Sequence, residues 1–229
     1  MDPGDAVALL NAYLDQMIAI AFRQGGTLDR IVGDAVAIMF SAPVEQPDHR
    51  QRALNCALEM YAFANTYSAE LAAKGTHFGK TRIGVHSGEV IVGNFGGSNM
   101  FDYRALGDPV NTAARLESVN KHLGTTVCVS EATLAGCTGV AVRPVGTLVL
   151  KGKSEALMVF EPLATANGKS LTQDVEYEAA YSLLRDQNPQ ALEAFERLVQ
   201  QRPEDPLAQL HFARLRAGER GDLIVMDEK

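Results

Sequence analysis

From Asp5 onward, Val7, Leu10, Leu14, Met17, Ile18 and Ala21 recur at helical spacing, and Gly25-Gly26 ends the pattern. This predicts an amphipathic first helix. TLDRIV (27–32) and AVAIMF (35–40) are apolar runs on either side of Gly33-Asp34. They predict a β-hairpin with Asp34 at its tip. Pro47 and Asp48 open a longer helical pattern reaching about Lys74, with Ala53, Ala57, Met60, Ala64 and Leu71 toward the core. TRIGVHSGEVIVGNFG (81–96) reads as two strands, its regularly placed glycines marking close backbone approach. DYRALGDPVNTAARLE (102–117) ends an extended segment at Gly107 and begins a helix over roughly 109–121. Asp108 suits its N-cap and Pro109 its first helical position. A short strand (125–130), a short helix (130–135) and two further strands (140–150 and 156–163) follow, with Lys151-Gly152-Lys153 between the last two.

Helices and strands therefore mix without strict β-α alternation, which predicts an α+β fold with helices on a mainly antiparallel sheet. A strand preceding the first helix would complete a βαβ unit. Beyond ATANGK (164–169) the pattern turns helical, over 177–184, 190–201 and 207–215. Leu183, Ala191, Phe195, Leu198, Pro203 and Ala208 resemble one tetratricopeptide-type unit, and GDLIVMDEK (221–229) allows a terminal strand. The expected division is a main domain over 1–163, a linker over 164–172 and a helical tail over 173–229.

The 229 residues are 46% hydrophobic and 21% charged, an ordinary soluble balance. A net charge of −7 excludes a nucleic-acid binder held by a broadly basic surface. Any anion must then meet locally placed cations. Cys56, Cys128 and Cys137 show no metal-ligand spacing and read as thiols of a reducing compartment. The pattern predicts no membrane span and no signal peptide, hence a cytoplasmic chain.

The candidate chemistry sits on the 109–121 helix. Asn111 and Arg115 are four residues apart and share a face. An amide and a guanidinium together near a helix start suit a polyanion carrying a sugar. The plain alternative is a surface helix with a solvated Arg.

GGTLDRIVGDAVAIMF, RIGVHSGEVIVGNFG, FDYRALGDPVNTAARLE and LKGKSEALMVFE occur in that order over residues 5–162, and together they resemble the catalytic domain of class III nucleotide cyclases. The resemblance implies a ferredoxin-like sheet covered by helices. It implies that the 3′-hydroxyl of a nucleoside triphosphate attacks its own α-phosphate and pyrophosphate leaves. It further implies two divalent ions, Mg²⁺ or Mn²⁺, held between two Asp residues. Asp34 matches the second of these. Asn111 matches the residue that orients the ribose, Arg115 the one that stabilises charge on the reacting phosphate, and Lys151 the one that reaches the triphosphate. In the family each site is shared between two chains, so the expected partner is a second copy, with Asp34 from one subunit and Asn111, Arg115 and Lys151 from the other.

The chain departs from the family pattern in two places. The strand bearing the first metal Asp does not precede the first helix, so the expected activity of these residues alone is low or nil. The base-selecting positions hold Arg30 and Arg104. Arg30 keeps a donor and a charge where Lys is usual. Arg104 cannot accept a bond from an adenine amino group, and it is expected to supply the charge of a basic residue missing near Phe101. ATP is expected over GTP. The alternative is a non-catalytic cyclase homology module that dimerises and regulates a partner. A cyclic-dinucleotide synthase is disfavoured because the hairpin reads VGDA, and a helical-repeat adaptor because the tail is too short.

Overall fold

Asp2 opens the first helix, α1 (Pro3–Arg23). Its carboxylate accepts the Gly4 N–H at 2.8 Å, and Pro3 needs no partner in the first turn. The computed structural model describes residues 2–97, 99–153, 155–164 and 172–226. A stripe of Tyr13, Leu14, Met17, Ile20 and Ala21 packs α1 against Cys56, Met60 and Ala64 of α2 (His49–Ala73). The composition pattern predicted no membrane span. By length and composition alone α1 is long and apolar enough to cross a membrane, a test that a buried core helix also passes, and here its apolar stripe is packed on α2.

The buried face of α2 differs from the one its spacing predicted. Ala53 and Leu71 are only half-buried, whereas Leu54, Cys56, Ala57, Leu58, Met60 and Ala64 are buried. The helix has two partners. Cys56, Met60 and Ala64 face α1, while Leu54 and Ala57 face Val127 and Val129 of β6 (Val127–Ser130). A helix clamped from two sides buries a wider band than one amphipathic stripe.

The remaining strands are β1 (Thr27–Val32), β2 (Ala35–Met39), β3 (Ile83–Val85), β4 (Ile91–Gly96), β5 (Phe101–Leu106), β7 (Val142–Val149), β8 (Ala156–Pro162) and β9 (Leu223–Val225). Both β1–β2 and β4–β5 are antiparallel hairpins, and the central sheet runs β3-β6-β8-β7-β9. Its outer pairs, β3–β6 and β7–β9, are parallel; its inner pairs are antiparallel. The strands thus divide among three sheets rather than one layer. Where β1 meets β5, the Asp29 carboxylate accepts the Ala105 N–H at 2.7 Å.

The helix α3 (Asp108–Leu123) lies on β3 at Gly84, where a side-chain carbon would stand 2.3 Å from both Ala113 O and Glu117 N. Asn120 ties the same elements, donating to Ile83 O at 3.0 Å and accepting from Thr125 Oγ1 at 2.7 Å. Gly84→Ala is expected to push α3 off β3 and to destabilise the fold by about 2 kcal/mol or more, read as a lower urea midpoint. An unchanged midpoint would show that the contact yields freely.

After α4 (Glu131–Leu134), the C-terminal elements are α5 (Val175–Arg185), α6 (Ala191–Gln201) and α7 (Pro206–Arg216). Tyr177, Tyr181, Phe195 and Leu207 share one buried cluster with Leu116, Val119 and Leu123 of α3 and with Val145 and Leu148 of β7. Most of the expected 164–172 linker, residues 165–171, lies outside the described residues. His211 is fully buried among the rings of Tyr177, Tyr181 and Phe195, and burial holds its pKa down to about 3.

Candidate functional site

Gly107, at φ 150°, lets the chain turn directly from β5 into α3 and occupies the cap itself. Asp108 is therefore the first helical residue, not the N-cap that the Gly-Asp-Pro pattern predicted. Its carboxylate is taken by Lys153 Nζ, and that bond holds the carboxyl below the usual carboxylate range. Lys153 follows β7 in the Lys151–Lys153 turn, so the ion pair docks this turn against the start of α3.

Asn111 is exposed and Arg115, one turn further, is half-buried. The turn lies against Arg115, since a side-chain carbon on Gly152 would sit 3.7 Å from its Nη2. Arg115 Nη1 is buried and has no hydrogen-bond partner. A buried guanidinium N–H without an acceptor is unfavourable, and an anion at this corner would satisfy it. Lys151 is exposed on the same turn.

His86, from the loop after β3, bonds Ser130 Oγ through Nδ1 at 2.9 Å. Burial and Lys153 lower its pKa, while Asp108 acts in the opposite direction. The arrangement is a cationic corner of Arg115, Lys151 and Lys153, tempered by Asp108. Sequence reasoning missed Lys153, although the Lys-Gly-Lys repeat marked both lysines equally.

The second group lies on the hairpins. Gly33, at φ 62°, and Asp34 form the two-residue β1–β2 turn, and Asp34 is exposed at its tip. Arg30 Nε donates to Asp29 Oδ2 at 2.5 Å. Arg104 Nη2 donates to Asp102 Oδ2 at 2.5 Å, and its Nε is buried without a partner. The Asp29–Ala105 bond brings the Arg30 and Arg104 backbones together. Among the described residues, no hydrogen bond or ion pair joins the Asp34 turn to α3 or to the Lys151–Lys153 turn.

The donors present decide the fit to a divalent ion. Asp34 is a hard oxygen donor, open to solvent. Among the described residues, no group of three or more His, Cys, Asp or Glu could hold a metal. One carboxylate suits a hydrated ion shared with substrate phosphates, but these residues alone do not assemble a two-ion set.

The model of the adenylate and guanylate cyclase catalytic domain matches residues 1–161. Adenylate cyclase 1 of Rhizobium meliloti (strain 1021) is 36% identical over 172 residues, covering 75% of this chain and 26% of that protein. The adenylate cyclase of Anabaena cylindrica is 28% identical over 169 residues, covering 70% and 33%. The chain thus spans about a quarter to a third of the length of these curated relatives. Among solved structures, the adenylyl cyclase CyaB from P. aeruginosa superposes with a TM-score of 0.64 at 27% identity, covering 72% of this chain and 85% of that one. The guanylyl cyclase Cya2 superposes at 0.62 and 29% identity, covering 71% and 82%.

Proposed function

The chain belongs to the family of adenylate and guanylate cyclase catalytic domains, and we propose that it serves to convert ATP to 3′,5′-cyclic AMP and pyrophosphate as an intracellular signal. The observation that carries this reading is Arg115, with Nη1 buried and unpartnered and Nη2 against Gly152, one turn from the exposed Asn111. Asn111 orients the ribose so that its 3′-hydroxyl faces the α-phosphate. Arg115 stabilises the charge that develops there, a task that suits a preorganised fork of donors. Lys151 holds the outer phosphates, and Lys153 fixes the turn that carries it. A divalent ion, Mg²⁺ or Mn²⁺, bound by Asp34 together with the substrate phosphates, would neutralise phosphate charge when present.

In this reading Asp34 acts on a nucleotide held by a second copy, and a symmetric homodimer carries two sites. What supports it is that, among the described residues, no hydrogen bond or ion pair ties the Asp34 turn to the α3 corner. ATP is proposed over GTP because Arg30 retains a donor and charge at a base-facing position. A cytoplasmic location, or the cytoplasmic side of a membrane, follows from ATP as substrate. No nucleic-acid partner is proposed for a chain of net charge −7. The second reading, a non-catalytic dimerising module, draws support from Arg104, which cannot accept a bond from an adenine amino group.

Subunit complementation separates the two. These residues alone are expected to turn over slowly or not at all, so the test uses a longer chain that carries both metal-binding Asp residues; there Asp34→Ala and Arg115→Ala are each expected to abolish cyclic AMP formation with Mn²⁺ and ATP. Random mixing makes half the dimers heterodimers with one intact site of two, so the mixture is expected to recover about a quarter of the wild-type rate. Failure of wild type and mixture alike to form cyclic AMP favours the non-catalytic module. An active wild type with no recovery on mixing points to sites built within one chain.

A further inference from the structure

The β1–β2 register breaks at one residue. Leu28 pairs with Ile38 and Arg30 pairs with Ala37, which leaves Asp29 as an extra residue without a partner on β2. Such a bulge re-aims a side chain, and bulges concentrate beside functional sites. Here it turns the Asp29 carboxylate toward β5. The side chain is only 4% exposed, and both oxygens are used. Oδ1 accepts the Ala105 N–H at 2.7 Å, and Oδ2 accepts Arg30 Nε at 2.5 Å. A carboxylate in so dry a position requires its partners.

We infer that Asp29 is a positioning residue that sets recognition of the nucleobase by holding Arg30 and the Arg104-Ala105 backbone in one fixed relation. This rests on the cyclase reading above, which places Arg30 and Arg104 at the base end of the nucleotide. Bonded through Nε, Arg30 keeps its two terminal nitrogens for an acceptor on the purine edge. The side chain is 31% exposed, so those nitrogens can reach a ligand. Asp29 also neutralises the guanidinium locally, so Arg30 discriminates by hydrogen-bond geometry rather than by attracting any polyphosphate. Asp102 does the same for Arg104, which leaves two guanidinium–carboxylate pairs on neighbouring strands.

Asp29→Asn separates these roles. The amide oxygen still accepts from Ala105, but its NH₂ faces a guanidinium donor and cannot bond it. Binding of ATP and of inorganic tripolyphosphate to the full chain would be measured by calorimetry in wild type, Asp29→Asn, Arg30→Ala and the double variant. The expected result is about tenfold weaker ATP binding in Asp29→Asn, with tripolyphosphate changed by less than about twofold. In the Arg30→Ala background, Asp29→Asn is expected to change the ATP-to-tripolyphosphate ratio no further.

A purely structural Asp29 would weaken both ligands together or leave the ratio unmoved, and either outcome overturns the inference. The same holds if the two substitutions act additively on the ratio. Should Asp29→Asn not fold, Arg30→Ala alone decides the matter, because an unchanged ratio there also sinks the proposal. A wild type that binds tripolyphosphate but not ATP removes the cyclase reading and this inference together. A wild type that discriminates normally while the variants do likewise removes only the inference.

Discussion

In a chain that carries both metal-binding Asp residues, Arg115→Lys is expected to lower the kcat of cyclic AMP formation by about a hundredfold or more, with a much smaller change in the KM for ATP. Loss of one preorganised donor to a developing oxyanion typically reduces turnover by about 10²–10³. The substitution keeps the positive charge, so long-range attraction of the triphosphate persists. What it removes is a planar fork held between α3 and the Lys151–Lys153 turn, with Nη1 buried and Nη2 against Gly152. Stability supplies a second readout. In the free protein the buried Nη1 has no acceptor, so replacing Arg115 removes an unfavourable group. The urea midpoint of Arg115→Lys is therefore expected to match or exceed that of wild type while turnover collapses. Equal loss of stability and activity would mean that Arg115 serves the fold. Intact turnover would remove it from the chemistry.

The same contrast shows which features were legible in the sequence. Asn111 and Arg115 share a face by spacing alone, and Gly33-Asp34 between apolar runs fixes a hairpin tip, so both could be read locally. The Lys153–Asp108 pair spans 45 residues and the Asp29–Ala105 bond spans 76. No periodicity encodes contacts of that kind. The bulge at Asp29 was hidden as well, because TLDRIV carries no Gly or Pro to mark a break in register. Asp108 looked like a cap because Asp often is one. Gly107 took that place through its backbone, which freed the carboxylate for Lys153. The C-terminal helices were legible as helices, within a residue or two at their ends. The particular contact that docks them was not, since it depends on a buried Arg in a strand meeting an Asp 62 residues later.

That contact carries the largest expected effect on stability. Arg143→Ala is expected to destabilise the fold by about 3 kcal/mol or more. The Arg143 side chain is 11% exposed. Its Nη1 and Nη2 donate to the two oxygens of Asp205 at 2.5 and 3.0 Å, and its Nε donates to Glu161 at 2.8 Å. The guanidinium also lies 4.9 Å from the centre of the Tyr177 ring. Its removal strands two carboxylates away from water, and burial already raises the pKa of Glu161. Asp205 has a further task, accepting the Leu207 and Ala208 N–H groups at the start of α7. The loss should therefore loosen α5–α7 from β7 as well as the strand pair itself.

Acid titration gives an independent check. Burial opposes ionisation of Asp205, but the bonds from Arg143 outweigh it and hold the folded pKa below the ordinary value. A carboxyl depressed in this way stabilises the fold above its unfolded pKa, and that contribution fades as pH falls through its folded pKa. The gap in urea midpoint between wild type and Arg143→Ala is thus expected to be widest near neutral pH and to narrow as Asp205 protonates. A gap independent of pH would trace the destabilisation to the lost side-chain volume and ring contact, not to the ion pair.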